Sequence, residues 1–207
     1  MGEIEIRCIV VGMIQTNCYI VYDKEIRQAV IADPGDQAEE IAACVEKIGV
    51  SVAAILLTHG HSDHFKGLAD LKEKFPVPVY IPADDAYRLK FQGGFVQAEY
   101  EIKPDDILVH DGDHFSIGGM EIDAIHTPGH TEGGTCYYFK DQGILLSGDT
   151  LFCHSWGRTD FPGGDEAALF RSIREKLLPL PEDTLVLPGH EGTTTIGEER
   201  MVHGYHS

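Results

Sequence analysis

Four short apolar runs in this chain each stop abruptly at residues that bind metal ions. Ala53–Leu57 leads into Thr58-His59-Gly60-His61-Ser62-Asp63-His64, and Glu121–Ile125 into Thr127-Pro128-Gly129-His130. Ile144–Leu146 leads into Ser147-Gly148-Asp149, and Leu185–Leu187 into Pro188-Gly189-His190. Apolar runs of this kind read as buried strands. Groups that do chemistry sit on loops at strand ends, where a rigid sheet holds them. The glycine beside each ligand lets the backbone approach closely. A fold with a stiff sheet behind one site is therefore demanded from the start.

Neutral imidazole and carboxylate are first-choice ligands for zinc and similar divalent ions. The seven candidates are His59, His61, Asp63, His64, His130, Asp149 and His190. That is too many for one tetrahedral ion and fits two ions with a bridge. His59 and His61, two apart on an extended loop, can chelate one ion with His130. Asp63 and His64 can chelate a second with His190. Asp149, with two carboxylate oxygens, suits the bridge. Two ions about 3.5–4 Å apart would hold a hydroxide between them and clamp the reacting group. Asp63 and Asp149 are the catalytic candidates.

The rest of the chain fits around this. Strands are expected over Ile4–Val11, Cys18–Tyr22 and Gln28–Ala32, with a turn at Asp33-Pro34-Gly35. A helix over 36–48 has Ile41, Val45 and Ile48 at helical spacing, Asp36 as cap and Gly49 as stop. A second helix is expected from His64 to Lys74, a strand ending at Ile81, and helix again over 83–91. Residues 93–102 fit no single pattern. Strands return over 107–109, 114–117, 121–125, 135–139 and 144–146. A last amphipathic helix spans 165–177, and a final strand 184–187. This order predicts two similar β-α halves packed sheet on sheet, with helices outside. With 207 residues, no low-complexity segment and no long linker, residues 1–207 read as a single domain.

Net charge is −18. So acidic a chain repels phosphate backbones, which argues against a nucleic-acid partner. No apolar stretch is long enough to span a bilayer, so no membrane role is expected. The five cysteines have no C-x-x-C spacing, and the N-terminus does not read as a signal peptide. A cytoplasmic protein with reduced, mostly buried thiols is expected.

The pattern His59-x-His61-x-Asp63-His64, followed by His130, Asp149 and His190, resembles the metallo-β-lactamase superfamily motif over nearly the whole chain. The resemblance implies an αβ/βα sandwich of two mixed sheets with the metal site at one edge. Thr127-Pro128-Gly129-His130-Thr131, Gly148-Asp149-Thr150-Leu151-Phe152 and Gly157-Arg158-Thr159-Asp160-Phe161 resemble glyoxalase II, the hydroxyacylglutathione hydrolase, and its short bacterial relatives most of all. That likeness implies a binuclear hydrolase, zinc first with iron or manganese acceptable. A bridging hydroxide would cleave a small acyl thioester such as S-lactoylglutathione. Arg158 stands where the family uses a basic residue to bind a glutathione carboxylate; pairing with Asp160 is its other expected role. Only a short tail follows His190, where full-length glyoxalase II has a helical domain that contacts glutathione.

Two rivals use the same ligands. A persulfide dioxygenase of this superfamily would hold one iron by His59, His130 and Asp149. A phosphodiesterase or nuclease would use the metal pair on phosphate, against which the acidic balance argues. Elsewhere, Asp33 reads as a structural acid near the site and His126 as a strand-end histidine without a role. His154 is a possible pocket-lining residue and Cys153 a buried thiol. His110, His114, His203 and His206 are expected at the surface.

Overall fold

The computed structural model describes residues 3–90 and 96–204. Residues 91–95 lie outside the described residues, and with them the end of the expected 83–91 helix and part of the unassigned 93–102 segment. So do Met1, Gly2 and His206.

Strand β1 (Ile4–Val11) turns through Gly12–Gln15 into β2 (Thr16–Asp23), and β3 (Gln28–Ala32) follows. Side chains in these strands alternate as the pleat requires. Cys18, Ile20 and Tyr22 of β2 face one core, whereas Tyr19 and Val21 face another. After β3 come helix α1 (Ala38–Ile48), strand β4 (Ser51–Leu56), helices α2 (Ser62–Phe65) and α3 (Leu68–Lys74), strand β5 (Val79–Pro82), a 3-10 segment (Ala83–Leu89) and β6 (Ile107–Val109). The first sheet has the order β1-β2-β3-β4-β5-β6, antiparallel up to β3 and parallel beyond it.

The second sheet is built from β7 (His114–Ile117), β8 (Met120–His126), β9 (Thr135–Phe139), β10 (Ile144–Gly148), β13 (Leu185–Pro188) and β14 (Thr194–Thr195). Its order is β14-β13-β10-β9-β8-β7, with only β10 and β13 parallel. A small hairpin, β11 (Leu151–Phe152) and β12 (Ser155–Trp156), projects after β10. Helix α4 (Glu166–Ser172) continues as a π-type turn over Ile173–Leu177, and α5 (Ile196–Val202) closes the described chain.

Both sheets are thus mixed, and three apolar layers hold them. Val21, Val30, Leu56, Ile122, Tyr137 and Leu146 fill the space between the sheets. Ile41 and Val45 of α1 with Leu68 and Leu71 of α3 cover the first sheet from outside. Leu169, Ile173, Leu177 and Ile196 cover the second. The result is the αβ/βα sandwich expected from the sequence. No helix among the described residues is long and apolar enough to cross a membrane.

Several local expectations are corrected. Asp36 does not cap α1. Its carboxylate accepts from the Gln37 amide at 2.8 Å and pairs with Lys66 at 2.6 Å, so Gln37, at φ 51°, takes the cap position. The helix expected from His64 to Lys74 is two helices, because the Gly67 amide donates to the Pro34 carbonyl at 2.9 Å and breaks the ladder. Helix α5 and strands β11, β12 and β14 were not foreseen. Of the cysteines, only Cys18 and Cys136 are buried; Cys8 is exposed, and Cys44 and Cys153 are half-buried. His203 is not a surface residue: its side chain is 8% exposed, turned against Glu199.

Candidate metal centre

Strand direction explains how the seven candidates meet. In the second sheet β9 runs against both β8 and β10, while β13 runs with β10. Hence β8, β10 and β13 point the same way, and their C-terminal ends deliver His130, Asp149 and His190 to one edge. The C-terminal end of β4, across the sandwich, delivers His59, His61, Asp63 and His64. Two glycines permit the closure. Gly148 has φ 50° and packs on Thr58, leaving no room for a Cβ. A Cβ on Gly189 would lie 2.2 Å from Asp149 Oδ1 and 2.7 Å from His64 Cε1.

The ring nitrogens converge. His61 Nδ1 lies 3.1 Å from His59 Nε2 and 2.9 Å from His130 Nε2. His64 Nε2 is 3.5 Å from Asp63 Oδ2 and 3.4 Å from Asp149 Oδ1. His190 Nε2 is 3.4 Å from Asp63 Oδ2 and 3.5 Å from Asp149 Oδ2. His130 Nε2 is 3.4 Å from Asp149 Oδ2. The potential ligand atoms of His59, His61 and His130 lie within 4.8 Å of one another, as do those of Asp63, His64 and His190, and those of His59, His64 and Asp149.

Outer partners set the tautomers. The far nitrogens of four rings each meet an oxygen: His59 Nδ1 meets Thr58 Oγ1 at 3.0 Å, His64 Nδ1 meets Asp33 Oδ2 at 2.9 Å, His130 Nδ1 meets the Arg158 carbonyl at 2.7 Å, and His190 Nδ1 meets the Gln15 carbonyl at 3.3 Å. In its neutral form, with the ring proton placed there, each of these rings presents an Nε2 lone pair inward.

These atoms fit a divalent cation. His64 Nε2 and Asp149 Oδ1 are buried without a hydrogen-bond partner, which is costly unless something charged completes them. A single proton on His61 Nδ1 cannot serve both His59 and His130 well. Nor can the imidazole cluster simply protonate. Burial, reinforced by the neighbouring imidazoles, holds His59 well below the usual histidine range and His61 lowered to about 3. At the carboxylate side the balance reverses. Burial opposes charge on His64, but Asp149, Asp63 and Asp33 together outweigh it and raise the group to about 10. Burial likewise opposes charge on His190, and the Asp63 hydrogen bond with Asp149 overcomes it, raising this ring too. Asp63 is held below the usual carboxylate range, its burial overcome by His64 and His190. Neutral bases beside carboxylates that demand positive charge are the donor set of a metal site.

Two acids support the loop from its neighbours. Asp33 follows β3, the parallel neighbour of β4, and accepts from the Thr58 amide at 2.8 Å and its hydroxyl at 2.7 Å as well as from His64. Asp85, fully buried in the segment after β5, accepts from the Gly60 amide at 2.8 Å and the Gly133 amide at 2.9 Å. Thr16 donates to Asp63 Oδ2 at 3.2 Å. Asp85 and Thr16 were missed by sequence reasoning. The available signal was position: Asp33 and Asp85 each follow the end of a strand flanking β4.

Arg158 lies at the rim. Its guanidinium pairs with both oxygens of Asp160, at 2.6 and 2.7 Å, and stacks over Phe161 at 3.9 Å. Phe161 lies 6.0 Å from the His61 ring and Phe152 lies 6.1 Å from the His190 ring, forming two apolar walls. His126 contacts the Glu132 carbonyl rather than any ligand.

Comparison with known proteins agrees with this geometry. The sequence profile of the metallo-beta-lactamase superfamily matches residues 11–190. The probable metallo-hydrolase YqgX of Bacillus subtilis is 38% identical over 195 residues, 92% of each chain. The hydroxyacylglutathione hydrolase GloC of Haemophilus influenzae is 35% identical over 202 residues, 94% of each chain. Among solved structures, the BLEG-1 B3 metallo-beta-lactamase has a TM-score of 0.89 at 38% identity, covering 95% of this chain and 97% of that one. TTHA1623 in a di-iron-bound form has a TM-score of 0.84 at 34% identity, covering 95% and 98%. ETHE1 from Myxococcus xanthus has a TM-score of 0.78 at 28% identity, covering 95% and 81%.

Proposed function

Since the chain belongs to the metallo-beta-lactamase superfamily, we propose that it is a metal-dependent hydrolase of an acyl thioester, S-lactoylglutathione being the first substrate to test. His59, His61 and His130 would hold one cation, Asp63, His64 and His190 a second, and Asp149 both. Zinc is the first choice; imidazole and carboxylate also accept iron or manganese. Bound there, the metal pair supplies Lewis acidity for the carbonyl and a water acidified enough to attack near neutral pH.

The protein's own contribution is placement. Asp33, Thr58 and the Arg158 and Gln15 carbonyls fix the ring orientations, so little reorganisation remains for the reaction. Asp63, kept ionised and steadied by Thr16, can orient the attacking water through Oδ2. The walls of Phe152 and Phe161 suit the apolar part of a thioester. Arg158 at the rim can turn from Asp160 to a substrate carboxylate. The leaving thiolate needs no protein acid, because thiols are fairly acidic. The partner is thus a small molecule; a net charge of −18 disfavours polyanions. A cytoplasmic location suits such a substrate.

The observation that carries this reading is the Asp63–His64–His190 triad. A single-iron dioxygenase would use His59, His130 and Asp149 as its metal ligands, whereas two cations would use this triad as well. The likeness to ETHE1 keeps persulfide oxidation as the second reading.

The test is hydrolysis of S-D-lactoylglutathione by metal-loaded protein, with Asp149→Ala as control. Turnover lost in the variant supports the thioesterase. No turnover in protein that holds metal, with oxygen uptake on glutathione persulfide, would replace it by the dioxygenase.

A further inference from the structure

A second group of ligand-type side chains lies apart from the centre above. The β11–β12 hairpin turns through Cys153 and His154. Against it packs Glu199 of α5, which is fully buried. One carboxylate oxygen, Oε1, is satisfied: it accepts from the His154 amide at 3.0 Å and from Thr194 Oγ1 at 2.7 Å. The other, Oε2, is buried without a hydrogen-bond partner. His203 Nε2 stands 3.5 Å from it and is itself buried without one. A sulfur, an imidazole nitrogen and a carboxylate oxygen from Cys153, His154 and Glu199 all lie within 4.8 Å of one another.

An ion pair between His203 and Glu199 would account for two of these atoms. The His154 amide bond brings the hairpin turn to Glu199, but neither it nor the ion pair uses the Cys153 thiol or the His154 ring. A cation accounts for the Cys153, His154 and Glu199 atoms together. Ligands around a tetrahedral zinc stand about 3.3–3.8 Å apart, given bonds of about 2.0–2.3 Å. The half-buried thiol and the exposed His154 side chain can close that gap by rotamer adjustment. Thiolate with imidazole and carboxylate selects a borderline-soft ion such as zinc or cobalt over magnesium or calcium.

We propose that Cys153, His154 and Glu199, with His203 beside them, form a second metal site for a zinc-type divalent cation. On binding, the Cys153 thiol gives its proton to solvent and the thiolate becomes a ligand. The site joins α5 to the hairpin that follows Asp149, whose Phe152 forms a wall of the main centre. Its role is to fasten that wall to the C-terminal helix, and it stands whether or not the thioesterase reading holds.

The thiolate supplies a private signal. None of the seven candidates at the main centre is a cysteine, so a cobalt-thiolate charge-transfer band in the near ultraviolet reports the second site. Cobalt(II) titrated into the metal-depleted full chain is expected to produce this band. It should persist in His59→Ala/His130→Ala, vanish in Cys153→Ser, and be displaced by zinc. His154→Ala, on an exposed side chain, should weaken cobalt affinity by at least about tenfold. No near-ultraviolet band in the wild type would overturn the proposal. So would an undiminished band in Cys153→Ser, which would place cobalt on another thiol, or unchanged affinity in His154→Ala.

Discussion

At Asp33 one carboxylate serves three donors: the Thr58 amide, the Thr58 hydroxyl and His64 Nδ1. The residue sits at φ 50°, a conformation asparagine tolerates. Asp33→Asn therefore keeps the turn but replaces an acceptor oxygen with a donor amide group. We predict a loss of metal affinity of about 10–100-fold, read by competition with a chelating dye; unchanged affinity would show that this contact does not set the His64 ring. Gly189→Ala acts more bluntly, because its Cβ would overlap Asp149 Oδ1. Expected is a folded protein by circular dichroism that no longer retains metal through gel filtration. A variant that kept full metal content would mean the β13 end yields more easily than its packing implies.

Element by element, the chain discloses itself unevenly. Strands β1, β3, β6, β7 and β9 fall where runs rich in β-branched and aromatic residues place them. Helix α5 escaped because it is short and weakly periodic, yet its start carries a capping box: the Thr195 hydroxyl accepts from the Glu198 amide, and Glu198 accepts from the Thr195 amide. Thr195→Ala should cost about 1 kcal/mol, measured by urea unfolding with Trp156, the single tryptophan, as the probe. The hairpin β11–β12 is too short for any periodicity. The seven site residues stand out from their own chemistry, whereas Asp85 and Thr16 gain meaning only from tertiary neighbours. Strand pairing also sets a pH effect. His114 stands opposite Asp123 in the β7–β8 register, and the hydrogen bonds its ring donates to Asp123 and Glu121 raise its pKa. Its stabilisation is full below about pH 6.5 and fades as pH rises through the raised value. His114→Gln should therefore lower the urea midpoint at acidic pH and converge with wild type in alkali; a constant gap would rule the pairing out as its cause.

For the whole molecule, the candidate metal centre is a place where loops from both sheets converge. Chelation should lower the melting temperature, and zinc should restore it. At free metal about 100 times the dissociation constant, binding adds about 2.7 kcal/mol, or roughly 5–10 °C for a chain of this size. A chelator with no effect on melting would show that the sandwich does not depend on its seam. Each proposed triad straddles that seam. His59 and His61 need His130 from the other sheet, and Asp63 and His64 need His190. Neither half can complete a triad by itself, and His190 comes late in chain order. On the proposed two-cation assignment, loading is a conjunction in time: a nascent chain would not be metallated at both positions until residue 190 has been synthesised and the halves have met. A fully metallated molecule certifies its own assembly.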